Sequence, residues 1–322
     1  MGRPNGRPTF PPQIPYSRRV HCSPDDWGLM SVRPLSAAIA LVVLFSAYAP
    51  AQEPGSGQPT GATPQPIDPD RPDVTNGTHI VDTGLLQVEF GGVFSRSSTT
   101  SQNLGTPVTF RFGATEWLEL RFGGDGFLQS TDLTGRQAGM GNTQIGAKLR
   151  LWSEPGGVPV VSVLPTINMP TASASKGLGS GESDFTIAFL TGADFLRHAH
   201  ADLNYGVGLI GTGPNQPRFT QHLASLSASA EIPGPFTPYV ETFWISRQEV
   251  DGRAVVAIDS GGIYQLSPRY AIDGGVQAGL TADAPSFSAF AGFSAIIGNI
   301  TGEHGVHARQ RQSARRRAAQ RR

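Results

Sequence analysis

GLLQVEFGGVFSR, residues 84–96, alternates with a period of two. Leu86, Val88, Phe90 and Phe94 share one parity, while Gln87, Glu89, Gly91 and Ser95 share the other. A strand turns successive side chains to opposite faces, so this stretch reads as a ribbon with one oily side and one polar side. Similar segments recur at about 107–113, 117–124, 140–152, 158–169, 183–191, 201–211, 221–231, 238–247, 254–266, 270–280 and 286–298, divided by Gly, Pro, Asp and Asn. Short connections (113–116, 155–157, 233–235 and 267–269) alternate with longer polar ones at 96–106, 129–139, 171–182 and 212–219. Antiparallel strands that show hydrocarbon to one side and water to the other, joined by turns and loops in alternation, suit a closed barrel in a membrane. The expected fold is therefore all-β: one antiparallel up-and-down transmembrane β-barrel of about 12 strands over 84–300.

Composition agrees. Charged residues make up 16% of the 322, against roughly 25% in soluble domains, and the 40 Gly and 26 Pro supply turns. The net charge of zero hides an asymmetry, because residues 53–300 hold 13 Lys+Arg and 22 Asp+Glu, a net of −9. An acidic body argues against nucleic acid as a partner. The single cysteine, Cys22, excludes an intramolecular disulfide and a cysteine-based zinc site.

The ends read differently. Residues 1–29 are an unstructured extension or a mis-called start. Residues 30–51 form a signal peptide, with Arg33 in the n-region, Leu35–Ala47 as the apolar core and Ala49-Pro50-Ala51 as a cleavage site before Gln52. That core is too short to span a bilayer, which takes about 20 residues. Residues 52–83 are a Pro/Gly-rich linker and lead-in, and the seven arginines of 301–322 make a basic, disordered tail.

On the barrel, the lipid-facing parity holds Val108, Phe110, Phe112, Leu118, Leu120, Phe122, Ile145, Leu149, Phe185, Ile187, Phe189, Leu203, Tyr205, Val207, Ile272, Val276, Phe287 and Phe293. Trp117, Trp152, Tyr239, Trp244, Tyr264 and Tyr270 lie near strand ends, where rings with polar tips form interfacial girdles. A soluble sandwich or barrel would use the same rings as core. The inward parity carries Gln87, Glu89, Arg111, Glu119, Arg121, Lys148 and Arg150 from the first strands, then Asp184, Asp202, Glu231, Glu241, Asp259, Asp273 and Gln277. This suggests a lumen with one basic and one acidic wall, serving either as a solute path or as a structural network. Twelve strands fall between the filled 8-stranded barrel and the open 16-stranded porin, so a narrow or partly plugged lumen is expected.

Signatures of chemistry are weak. Gly206-Val207-Gly208-Leu209-Ile210-Gly211 fits a dinucleotide pattern but lies within a strand with no helix after it. Asp194, His198, His200 and Asp202 read as a solvated turn rather than a metal site. His222 and Ser225 fall on opposite parities, and no GxSxG elbow occurs. No catalytic residue, metal or cofactor is expected.

Asp70-Arg71-Pro72-Asp73, VTFRFGATEWLELRFGG (108–124), GMGNTQIGAKLRLW (139–152) and VVSVLPTINMPTA (160–172) together resemble the family labelled "MetA-pathway of phenol degradation". The resemblance runs from about Asp70 to Ile300. It implies a bacterial outer-membrane barrel that moves small solutes, in some members aromatic compounds, with outer-membrane lipid and the barrel assembly machinery as partners. The expected function is passive passage of a small aromatic or hydrophobic solute through a monomer. A non-conducting structural or binding barrel and a lipase-like barrel enzyme are the rivals.

Overall fold

The computed structural model describes residues 66–71, 74–98, 100–152, 160–196 and 198–299. Cys22, the signal peptide, the linker up to residue 65 and the basic tail lie outside the described residues. In chain order the strands are β1 (Leu85–Ser98), β2 (Ser101–Gly105), β3 (Val108–Gly113), β4 (Leu118–Gly124), β5 (Phe127–Asp132), β6 (Gly135–Met140), β7 (Thr143–Trp152) and β8 (Val160–Met169). They continue as β9 (Asp184–Leu196), β10 (Ala199–Ile210), β11 (Phe219–Ala230), β12 (Phe236–Ile245), β13 (Val255–Ser267), β14 (Tyr270–Gly279) and β15 (Phe287–Asn299), with one 3-10 turn at Ala174–Lys176.

β1 pairs antiparallel with β15 along its length, from Leu85 opposite Asn299 to Arg96 opposite Phe287, and this closes the sheet. Three strand pairs act as single bent strands: β2 runs into β3, β4 into β5 and β6 into β7, so the wall is a closed antiparallel barrel of 12 strands. The bends fall together. Pro107 has no N–H for the ladder, and the gaps are bridged by Thr106 N–H to Phe127 O, Asp125 N–H to Asn142 O and Gly141 N–H to Gly126 O. Gly126 sits at φ 62, where a Cβ would meet Thr106 O at 1.9 Å, so only glycine serves there.

Above the bends, β1 continues against β2, β2 against β5 and β5 against β6 as an extension of the wall. Much of the expected polar loops at 96–106 and 129–139 is therefore strand. A ribbon such as SQNLG, polar on both faces, lacks the alternation by which a half-buried strand is recognised.

The oily parity faces outward. Phe110, Leu120, Phe122, Ile145, Phe185, Ile187, Phe189, Leu203, Tyr205, Ile272, Val276, Phe287 and Phe293 are all exposed. Trp117, Trp152, Tyr264 and Tyr270 are exposed at the end of the barrel with short turns, which is also the end where β1 begins and β15 finishes. That ring is the interfacial girdle on the periplasmic side, where such barrels keep their short turns. Tyr239 corrects the expectation: it shares the parity of Glu241, is 7% exposed and points inward.

Candidate functional site

The lumen is filled by the residues that precede β1. The segment enters at the periplasmic end, where Ile67 N–H donates to Pro268 O (2.9 Å), Gln265 Nε2 donates to Ile67 O (3.0 Å), and Ile67 packs with Ala271 and Ile296. It rises to mid-barrel, where the N–H groups of Val74 and Thr75 donate to the Glu241 carboxylate at 2.8 and 2.6 Å, and the Thr75 hydroxyl bonds the same group. Val74 sits there in an apolar cluster with Leu223, Phe243, Ile245, Val255, Ala257 and Ala284. The chain then descends to β1, with Val81 N–H donating to Glu119 Oε2 at 3.0 Å.

The basic wall holds this excursion by its carbonyls. Lys148 Nζ donates to Gly77 O (2.8 Å), His79 O (3.1 Å) and Asp70 Oδ2 (2.6 Å). Arg111 forks onto Glu119 at 2.9 and 3.0 Å, reaches Glu89 at 2.7 Å, and donates to Asp68 O at 3.1 Å. Arg121 bonds Asp70 Oδ2 and, at 3.0 Å, Asn76 Oδ1. Arg111, Lys148 and Glu119 are 0% exposed, so their charges persist only because each is paired and hydrogen-bonded. Toward the β1–β15 seam Arg71 reaches Asp273 (3.5 Å) and Ala291 O (3.4 Å). Its guanidinium lies against Gly91 and Gly292, which face each other across the β1–β15 seam.

The expected lumen residues are thus placed as follows. Glu89, Arg111, Glu119, Arg121, Lys148, Glu241 and Asp273 all bond the N-terminal segment or each other. Asp184 is buried and accepts from Gly211 N–H at 2.7 Å, and Asp259 is buried opposite Glu241 on β13. Asp202 meets His200 (3.3 Å) at the periplasmic mouth, and His200 also meets Asp194 (2.7 Å). One expectation is corrected: Glu231 lies past the end of β11 in an exposed turn, where parity no longer fixes direction. Arg150, opposite Ser162 near the periplasmic end of β7, is half-buried and reaches Glu116 O at the β3–β4 turn (3.4 Å). Among the described residues no group of three or more His, Cys, Asp or Glu is arranged to hold a metal. Ser225 is buried on the inner face, whereas His222 points outward to the Tyr205 hydroxyl at 2.8 Å, so the two do not form a catalytic pair.

Asp70, Arg71, Thr75 and Asn76 are the interior residues that strand periodicity could not find. A usable signal existed in the number of charges on the inward parity, since buried charges demand partners. Beside the segment lies a slot of ≈ 80 Å³, between Asp70, Arg71 and Asn76 and the small inward residues of β3 to β9, among them Gly123, Gly146, Thr166 and Ala188.

The segment crosses no lipid, and its titration bears on docking. Burial pushes the His79 imidazole below its ordinary 6.5; Asp68 pulls it up, while Arg111 and Lys148 push it further down. Burial raises the Asp70 carboxyl, but Arg111, Lys148 and Arg121 outweigh it and hold the group well below the usual carboxylate range. In both cases the released segment binds a proton more readily than the docked one, so each group strengthens docking at neutral pH, whereas burial raises the Asp68 carboxyl on the same segment and acts in the opposite sense. Through His79 docking is expected to weaken from pH 6.5 downward, and through Asp70 below about pH 4. Maleimide labelling of a Thr78→Cys variant should speed up as pH falls, after correction for the reagent's own pH dependence. Labelling that slows on acidification counts against this docking scheme.

A closed barrel with outward hydrocarbon, one aromatic girdle and a polar interior threaded by its own N-terminal segment defines a β-barrel of the outer-membrane type. The family described as "Putative MetA-pathway of phenol degradation" matches residues 69–296, and the chain belongs to that family. The COG4313 outer membrane channel from Pseudomonas putida F1 is similar in fold, with a TM-score of 0.55 at 12% identity, covering 71% of this chain and 99% of that one. The NanC porin (TM-score 0.46, 9% identity, 65% of this chain and 98% of that one) and the CymD monoaromatic hydrocarbon channel (0.41, 9%, 68% and 90%) also match. No curated protein matches the sequence.

Proposed function

We propose that this barrel is a passive outer-membrane channel for a small solute, opened by displacement of its N-terminal segment, and that it carries out no catalysis. The observation behind this reading is the slot of ≈ 80 Å³ beside the segment. A dry protein cavity that accepts benzene is about 150 Å³, so this slot admits water and small ions but no aromatic ring. The family's description links it to phenol degradation, which makes small aromatic compounds the first solutes to test. Barrel assembly machinery and a monomeric state belong to the same proposal.

The packed lumen also favours a second reading, a barrel that never conducts. Planar-bilayer recording separates the two. The wild-type protein should show small, infrequent openings, and a chain beginning after Asp82 should show large, steady ones. Phenol flux into liposomes should rise with the same truncation. Silence from both proteins, once each is shown to be folded by its heat-shifted gel band, leaves the non-conducting reading.

A further inference from the structure

We propose that the outward face of the extension β1–β2–β5–β6 binds the phosphorylated glycolipid of the outer leaflet. The registers Arg96–Gln102, Gln102–Thr131 and Thr131–Arg136 place these four residues in one row across four strands. Arg96 shares the outward parity of Phe90 and Phe94, and both arginines are exposed. Three strand spacings separate them by about 14 Å, a span that suits a disaccharide with a phosphate at each end. Toward the membrane from that row lie Leu104, Phe127 and Met140, exposed by 38, 40 and 66%. A cationic row above an apolar shelf matches an anionic head group on acyl chains.

Charge pairing sets this patch apart. Elsewhere at the loop end, Arg218 pairs with Glu182 (3.8 Å), Arg253 with Asp283 (3.4 Å), and Arg247 covers the Phe219 ring while donating to two backbone carbonyls. Among the described residues, the side chains of Arg96 and Arg136 have neither ion pair nor hydrogen bond. Lys176 adds a third cation beside β6, where it donates to the Ala138 carbonyl at 3.1 Å. In a body with a net of −9, unpaired cations gathered on one face are complementary to an anionic surface.

The test uses the refolded chain in non-ionic detergent, titrated with bisphosphorylated lipid A and followed by native mass spectrometry. Bisphosphorylated lipid A should bind, its dephosphorylated form and phosphatidylglycerol should bind far less, and added salt should weaken the complex. Arg96→Gln with Arg136→Gln should lower affinity about thirtyfold, the loss expected for two interfacial arginines, while Arg253→Gln should change nothing. Equal binding of the dephosphorylated form or of phosphatidylglycerol overturns the proposal. So does displacement by equimolar inorganic phosphate, insensitivity to salt, or an unchanged double variant. The salt and lipid comparisons need only the wild-type chain, so a variant that fails to fold leaves the test intact.

Discussion

Arg111→Met should destabilise the folded barrel by about 3–5 kcal/mol, the range for removing one partner of a buried ionic network. The methionine fills much of the same volume, so the loss is electrostatic rather than a cavity effect. Glu119 loses a two-pronged pairing and Glu89 loses a bond of 2.7 Å, yet both carboxylates stay among walls that are closed to water. The carbonyls of Asp68 and His79 lose a donor as well, which frees both limbs of the N-terminal segment. Two readouts should therefore move together: the urea midpoint of the heat-shifted gel band falls, and channel openings become longer. Arg111→Lys should fall between, since a point charge cannot reproduce the fork onto Glu119. Arg111→Met combined with Glu119→Gln should recover part of the loss, because one stranded charge is then neutral. A single variant with wild-type stability and conductance would show that this network holds nothing in place.

The sequence was most legible where hydrocarbon meets the wall. Segments such as VTFRFG and DFTIAFL keep one parity oily because lipid, like a protein core, rejects polar groups, so period-two counting found the lipid-facing lengths of all 12 strands. Legibility failed where both faces carry the same kind of residue. β2, β5 and β6 are oily on the outward parity only at Leu104, Phe127 and Met140 and carry polar residues on both faces beyond them, so they read as loops. β12 fails in the opposite sense, with Phe243 and Ile245 turned inward against Val74 while Val240 and Trp244 face out. A strand oily on both parities resembles one buried on both sides, and that was the available clue that something packs against β12 from within.

The inner wall was half legible. Parity identified which charges turn inward, but charge count alone did not reveal what neutralises them. Asp70 and Arg71 lie in a Pro-rich stretch with no periodicity, and their role depends on contacts with residues as distant in sequence as Asp273. Geometry gives the reason for such a filler. A 12-stranded ring encloses more space than its own side chains can occupy, and the segment leading into β1, which passes the barrel's mouth at Ile67, is at hand to fill it.

Gly91→Ala should be nearly as damaging as the loss of Arg111, although it adds one methyl group. A Cβ at Gly91 would lie 2.1 Å from Arg71 Nη2, 2.4 Å from Arg71 Cζ and 2.7 Å from Ala291 O. The guanidinium can leave but the carbonyl cannot, so Arg71 is expelled and Asp273 remains 8% exposed without its cation. Overpacking of this kind costs about 1–3 kcal/mol, and the stranded carboxylate brings the expected loss to about 3–5 kcal/mol. The cause can be isolated. Arg71→Ala alone should cost about as much, because it strands the same carboxylate, but adding Gly91→Ala to it should cost only the overpacking against Ala291 O, about 1–3 kcal/mol, since the guanidinium has gone. Gly292→Ala, across the seam and 2.5 Å from Arg71 Nε, should behave the same way. Urea-dependent folding into micelles gives all five free energies. If Gly91→Ala costs the same with and without Arg71, the glycine serves the strand rather than the arginine that crosses it, and the N-terminal segment does not clamp the seam where the barrel closes.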